Sequence, residues 1–141
     1  MTDFWCQPKQ LFDGQRLRTD AVRIVDGIVV AVGRPQSGAI QIDGLLTPGF
    51  VDLQVNGGGG VLVNTTPTAE GIRAIADAHA ALGTAAIMPT VITDSADVLV
   101  HTCDAILAVK DDPRIVGLHI EGPHIAMARR GTHAPEHVRP M

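Results

Sequence analysis

The chain is poor in cysteine, has no long apolar run and carries no block of charge of one sign. Its two cysteines, Cys6 and Cys103, lie far apart among 141 residues. Their spacing fits no metal motif, so the expectation is a pair of reduced thiols in a cytosolic protein. No stretch reaches the roughly 18 apolar residues of a membrane span. The opening Met-Thr-Asp-Phe-Trp has neither the basic start nor the apolar core of a signal peptide, so a cytoplasmic protein with no membrane partner is expected. With 15 acidic residues against 11 basic ones and a formal net charge of -4, nucleic acid is not the expected partner. An anionic ligand would need a local positive site. The sequence also lacks a G-x-G-x-x-G fingerprint, a Gly-Lys-Ser/Thr phosphate loop and a G-x-S-x-G elbow. Those gaps argue against an open nucleotide-binding domain and against serine-nucleophile chemistry. Internal repeats and low-complexity segments are missing too.

What remains is a chain that is 45% hydrophobic, with 15 glycines and nine prolines spread along it, enough for a globular core with many short turns. Residues 21–33 read as two β-rich runs joined at Asp26-Gly27, the dipeptide of a two-residue type I′ hairpin. Asp13-Gly14 and Asp43-Gly44 give further turn signals. Residues 1–46 are therefore expected to form a small β-rich unit, and residues 47–141 a second part with a different pattern.

In that second part, residues 50–56 alternate, placing Asp52, Gln54 and Asn56 on one face and Val51, Leu53 and Val55 on the other. Gly57 to Gly60 follow, a run that lets backbone or ligand approach closely. A helix is predicted with Thr66 as N-cap and Pro67 at N1, carrying Ile72, Ile75, Ala76, His79 and Leu82 at helical spacing and stopping at Gly83. The apolar run 84–92 suits a buried parallel strand. A second helix is predicted with Asp94 or Ser95 as cap and Val98, Leu99, Cys103, Ile106 and Leu107 on one stripe. A third strand over 114–120 completes βαβαβ with a parallel sheet. The pattern alone leaves an open sheet and a barrel equally allowed.

Ligand-type side chains crowd only at the end of the third strand. His119 and Glu121 share a face with Gly117 by strand alternation, and His124 follows. A lone H-x-E triplet is weak evidence, because a histidine beside an apolar strand commonly serves as a satisfied core residue. One carboxylate does not hold a catalytic zinc, which takes three protein ligands and a water. Downstream, Arg129 and Arg130 are candidates to meet an anionic substrate, against the plainer reading of a solvated pair.

Taken in order, Leu46-Thr-Pro-Gly-Phe-Val-Asp-Leu-Gln-Val-Asn-Gly-Gly-Gly-Gly, Met88-Pro-Thr-Val-Ile-Thr, Gly117-Leu-His-Ile-Glu-Gly-Pro and Arg130-Gly-Thr-His-Ala-Pro resemble the N-acetylglucosamine-6-phosphate deacetylases of the amidohydrolase superfamily. The resemblance implies a partial (β/α)8 TIM barrel, its first three βα units, preceded by a β-sandwich-like segment. It implies deacetylation of N-acetylglucosamine 6-phosphate to glucosamine 6-phosphate and acetate. Carried over by position, Glu121 would be a metal ligand, Thr132 and His133 would contact the sugar phosphate, and Gln54 and Asn56 would line the pocket. Where many amidohydrolases carry H-x-H, this chain has Gln54-Val-Asn56. Neutral amides are poor zinc ligands, which favours one divalent metal, Zn²⁺ or Fe²⁺, over two. The family's proton-shuttling Asp and two metal-binding histidines come from later strands, so no catalytic residue of that kind is expected in this chain. The expectation is an N-terminal portion, inactive alone, of a protein that is a homodimer at full length. A non-catalytic sugar-phosphate-binding or assembly module of the same fold is the alternative.

Overall fold

The computed structural model describes residues 1–34 and 36–140. The chain divides into two compact units, Met1–Pro48 and Gly49–Met141. The first unit is a five-stranded sheet of β1 (Asp3–Phe12), β2 (Leu17–Arg18), β3 (Ala21–Val25), β4 (Ile28–Gly33) and β5 (Ile40–Leu46). Asp26 and Gly27, at φ 47° and 81°, join β3 to β4 in the left-handed conformation that a type I′ turn requires, as the dipeptide predicts.

Asp43-Gly44 is not a turn. Both residues lie inside β5, which runs parallel to β1, with the register jumping from Pro8↔Ile42 to Gln10↔Leu45. Lys9 thus opposes two residues, a β-bulge, and its Nζ meets Asp43 Oδ1 at 2.6 Å. Local composition signalled a break in regularity, and the sheet absorbed it as an extra residue. The sandwich expectation goes no further than a mainly β segment, because no second sheet faces this one among the described residues. One face instead carries an apolar trough of about 330 Å³ lined by Leu11, Val22, Ile24, Val29, Val32 and Leu46.

The second unit is α/β. Strands β6 (Phe50–Val55), β9 (Thr84–Ile92) and β10 (His119–Glu121) form a parallel sheet in the order β10-β9-β6. Between β6 and β9 lie a small hairpin, β7 (Gly57–Gly58) with β8 (Val61–Leu62), and helix α1 (Ala69–Ala80); α2 (Ala96–Ala108) joins β9 to β10. After β10 come only two single 3-10 turns, Met127–Arg129 and Pro135–His137, so the described chain holds two complete βα units and a third strand. None of its helices is long and apolar enough to cross a membrane.

Helix α1 starts two residues later than predicted. Thr68, not Thr66, is the N-cap, its Oγ1 accepting from the Gly71 amide at 3.1 Å, and Pro67 sits before the cap rather than after it. Ile72, Ile75 and Ala76 are buried, but Leu82 lies beyond the helix and is 83% exposed. On α2, Ser95 is the cap. Thr102, Ala105 and nearby Val109 are its most buried positions, with Val98, Leu99 and Ile106 beside them, while Leu107 is exposed. The packed stripe is thus rotated by part of a turn from the predicted one, and Cys103 lies at its margin, half-buried. These helix faces meet Val55, Val63, Ile87, Val91 and Ile115 in one apolar core.

The third strand is shorter than its apolar run. Ile115 makes only an isolated bridge to Ile87. Gly117, at φ 151°, then breaks the extended path, and pairing resumes at His119. Gly117 is therefore outside the alternation that puts His119 and Glu121 on one face. Strand β6 departs from expectation too: Val51 and Leu53 are 55% and 58% exposed, so its apolar face is uncovered, and only Val55 is buried.

Candidate functional site

The parallel sheet brings the carboxyl ends of β6 and β10 together, with Thr93, the residue after β9, between them. Gln54 is one residue from the end of β6, and its Nε2 donates to Glu121 Oε2 at 3.1 Å. Since a carboxylate only accepts, the amide must turn its NH₂ toward Glu121. The other carboxylate oxygen, Oε1, lies 3.4 Å from His133 Nε2. His133 comes from the loop beyond β10, yet it is only 7% exposed. Thr93 anchors it: the Thr93 amide donates to His133 Nδ1 at 3.3 Å, and Thr93 Oγ1 lies 2.9 Å from the same nitrogen and 3.2 Å from the Glu121 carbonyl oxygen.

Gly122 makes that closeness possible. Its φ is 96°, a conformation that side chains disfavour, and a Cβ there would run into the Thr93 hydroxyl. Of the residues singled out in the sequence, Gln54, Glu121 and His133 are thus brought into one network. Thr132 is exposed beside it. Asn56 is not drawn in; its Nδ2 donates to the Thr90 carbonyl at 3.4 Å, a strand-to-strand tie. His124 Nδ1 turns instead to the Pro140 carbonyl at 2.8 Å. His119 Nδ1 lies 3.2 Å from Thr90 Oγ1, a contact between neighbouring strands that fits the core-residue reading. Arg129 is exposed on a 3-10 turn, and Arg130 Nη1 reaches only the Gly131 carbonyl at 3.5 Å.

The run Gly57 to Gly60 serves packing. Gly59 and Gly60 take the β7–β8 turn at φ 59° and 82°. A Cβ on Gly58 would sit 2.9 Å from His79 Cδ2, and one on Gly59 3.2 Å from Ala78 Cβ. His79 Nε2 then donates to the Gly57 carbonyl at 3.0 Å, seating the turn against α1.

Two residues at the sheet's end gave no sequence signal. One is Thr93. The other is Asn64, whose carboxamide accepts from the Ile92 amide at 3.1 Å and donates to the Ile92 carbonyl at 3.1 Å and to Asp94 Oδ2 at 2.9 Å. That last bond, ahead of a backbone bond from Ser95 and the charge of His137, holds the Asp94 carboxyl below its ordinary range. Both residues act through partners dozens of positions away, which no local pattern reports.

Chemically, the network offers one carboxylate, held on one oxygen by an amide and facing an imidazole on the other. No group of three histidine, cysteine or acidic side chains suited to a metal occurs among the described residues. The adjoining cavity, lined by Asp94, Ser95, Glu121, Gly122 and Arg139 among others, holds about 70 Å³, well short of the ~300 Å³ of a usual small-molecule site.

No protein-family model matches the chain. Curated relatives do. An N-acetylgalactosamine-6-phosphate deacetylase of Shewanella sp. (strain ANA-3) is 40% identical over 93% of this chain and 36% of its own length. An N-acetylglucosamine-6-phosphate deacetylase of Haemophilus influenzae is 34% identical over 87% of this chain and 34% of its own. Among solved structures, N-acetyl-D-glucosamine-6-phosphate deacetylase from Mycobacterium smegmatis superposes with a TM-score of 0.84 at 27% identity, covering 98% of this chain and 41% of that one. A mutant of that enzyme in complex with N-acetyl-D-glucosamine-6-phosphate gives 0.83, also at 27%, covering 100% of this chain and 38% of the other. By sequence and by fold, the chain is related to the N-acetylglucosamine-6-phosphate deacetylases over about a third of their length.

Proposed function

We propose that the chain contributes the carboxylate corner of a metal-dependent site that removes the acetyl group from an N-acetylhexosamine 6-phosphate. The convergence of Gln54, Glu121 and His133 at the carboxyl ends of parallel strands carries this reading, since barrel enzymes keep their active sites on that face. On the same reading, β6, β9 and β10 are the first three strands of a (β/α)8 barrel. Their exposed apolar residues, Val51 and Leu53, would face a layer that this chain does not contain. The protein would be cytoplasmic, and a homodimer at full length.

The residues present do not by themselves fit a catalytic metal. Glu121 is one ligand where three are needed, and a second oxygen-or-nitrogen donor set is missing among the described residues. The proposal therefore gives Glu121 to a single Zn²⁺ or Fe²⁺ whose other ligands, and the proton-shuttling Asp, lie in sequence that the longer relatives have. Within this chain, Gln54 orients the carboxylate, while Thr132 and His133 stand where a sugar phosphate would be held. No hydrolytic step follows from these residues alone.

The test is a chimera joining this chain to the remaining two thirds of the Shewanella relative, assayed for acetate release. Activity is expected, and Glu121→Gln should lower it by at least ~100-fold, as losing a group central to the reaction does. A folded chimera whose activity ignores that substitution would overturn the proposal. Because one relative is named for the galacto sugar, both epimers belong in the assay, and preference for N-acetylgalactosamine 6-phosphate is the second reading. The missing three-ligand cluster favours one further reading, a non-catalytic sugar-phosphate module. It requires that the 141-residue chain bind the sugar phosphate equally well with and without a chelator.

A further inference from the structure

Thr93 meets the His133 ring with two groups, and one of them can play only one role. A backbone N–H donates and never accepts, so the His133 Nδ1 that receives the Thr93 amide at 3.3 Å must present a lone pair. In a neutral imidazole the proton then sits on Nε2, the nitrogen that faces Glu121 Oε1 at 3.4 Å. The opposite tautomer would set Nδ1–H against the buried Thr93 amide and aim the Nε2 lone pair at a carboxylate oxygen. It would incur two repulsive contacts. The favoured tautomer leaves one, where the Thr93 hydroxyl, donating to Nδ1 at 2.9 Å, turns a lone pair to the Glu121 carbonyl oxygen at 3.2 Å. Both residues are nearly buried, at 5% and 7% exposed, so water is not on hand to relieve the losing arrangement.

We propose that Thr93 is a positioning residue that fixes neutral His133 as its Nε2–H tautomer. The consequence is a hydrogen-bond donor held beside Glu121, aimed at oxygen acceptors and withdrawn from metal ligation, which needs a bare nitrogen. This rests on the reading of His133 as a site residue, but its test does not rest on activity. Gly122 belongs to the same device, because any side chain there would displace the Thr93 hydroxyl.

The measurement is long-range proton–nitrogen correlation NMR of the imidazole rings in the ¹⁵N-labelled 141-residue chain, at mildly alkaline pH so that the rings are neutral. The His133 signals are identified by their loss in His133→Gln. Nε2 is expected in the protonated range and Nδ1 in the unprotonated range; the reverse order overturns the proposal, and the wild-type spectrum alone decides this. Thr93→Ser should preserve the pattern, whereas Thr93→Val, which lacks the hydroxyl, should draw both ring nitrogens toward averaged shifts. An unchanged spectrum in Thr93→Val would remove the side chain's positioning role. Since neither metal nor substrate is present, a reversed tautomer sinks this inference alone, and an inactive chimera sinks the deacetylase reading alone.

Discussion

Gly122 is the residue on which the site's geometry hinges. Its positive φ and the Thr93 hydroxyl leave no room for a Cβ, so Gly122→Ala should destabilise the chain by about 1–3 kcal/mol, the range for a side chain forced into such backbone. Urea unfolding measures this, and an effect within ~0.5 kcal/mol, as at an ordinary surface site, would contradict the account. At this scale the sequence was legible where a residue's chemistry names its task. Glu121 was placed by its position after an apolar run, and Gln54 by alternation along β6. Thr93 and Asn64 were not, since a threonine or asparagine at a strand end looks the same whether it caps, turns or holds a distant ring. Asn56 shows the converse. Alternation put it on the polar face, and register then gave it to the Thr90 carbonyl.

Single elements read well where the signal was local and poorly where the sheet decided. Ser95 was among the predicted caps of α2, and its Oγ accepts from the Val98 amide at 3.4 Å. Ser95→Ala should therefore cost about 1 kcal/mol, seen as a lower denaturation midpoint with an unchanged slope. The Asp26-Gly27 hairpin was equally plain. Asp43-Gly44 carries the same turn chemistry but became a bulge, because pairing with β1 overrode local preference. Gly117 likewise divides an apolar run that periodicity reads as one strand. Next to it, the connection from α2 to β10 is pinned by Arg114. Its Nε and Nη2 donate to the two Asp112 oxygens at 3.0 and 2.8 Å, and its Nη1 pairs with Asp77 of α1. The Arg114 side chain, then its backbone amide, bring the Asp112 carboxyl from 3.8 down to about 2. A folded-state pKa below the ordinary one means the bridge stabilises fully above pH 3.8 and fades as pH falls through about 2, the folded form binding fewer protons in between. Asp112→Asn should accordingly lower stability by roughly 1 kcal/mol at neutral pH, partly exposed pairs being weak. Its deficit should shrink across that acid window, and a deficit independent of pH would refute the linkage.

For the whole molecule, the uncovered surfaces matter most. Phe50, Val51 and Leu53 on β6 are each more than half exposed, as are Ile28, Val29 and Val30 in the first unit, and apolar strands of this kind pair with other chains. The 141-residue chain is expected to self-associate with rising concentration, and Leu53→Lys to reduce that association. Sedimentation velocity over a concentration series measures both, and a chain that stays monomeric throughout would count against it. The fold class was legible from the alternation of strands and helices, but which faces stay bare was not, because burial depends on what else packs there. Parallel pairing across α1 and α2 also imposes an order in time. The Asp26-Gly27 hairpin can close within about 1–10 μs, using neighbours only. Gln54 and Glu121 meet across 67 residues, and closing that distance is unfavourable until both intervening helices have packed. The hydrogen bonds that define the site should therefore be the last to form in refolding and the first to report a chain that stopped short.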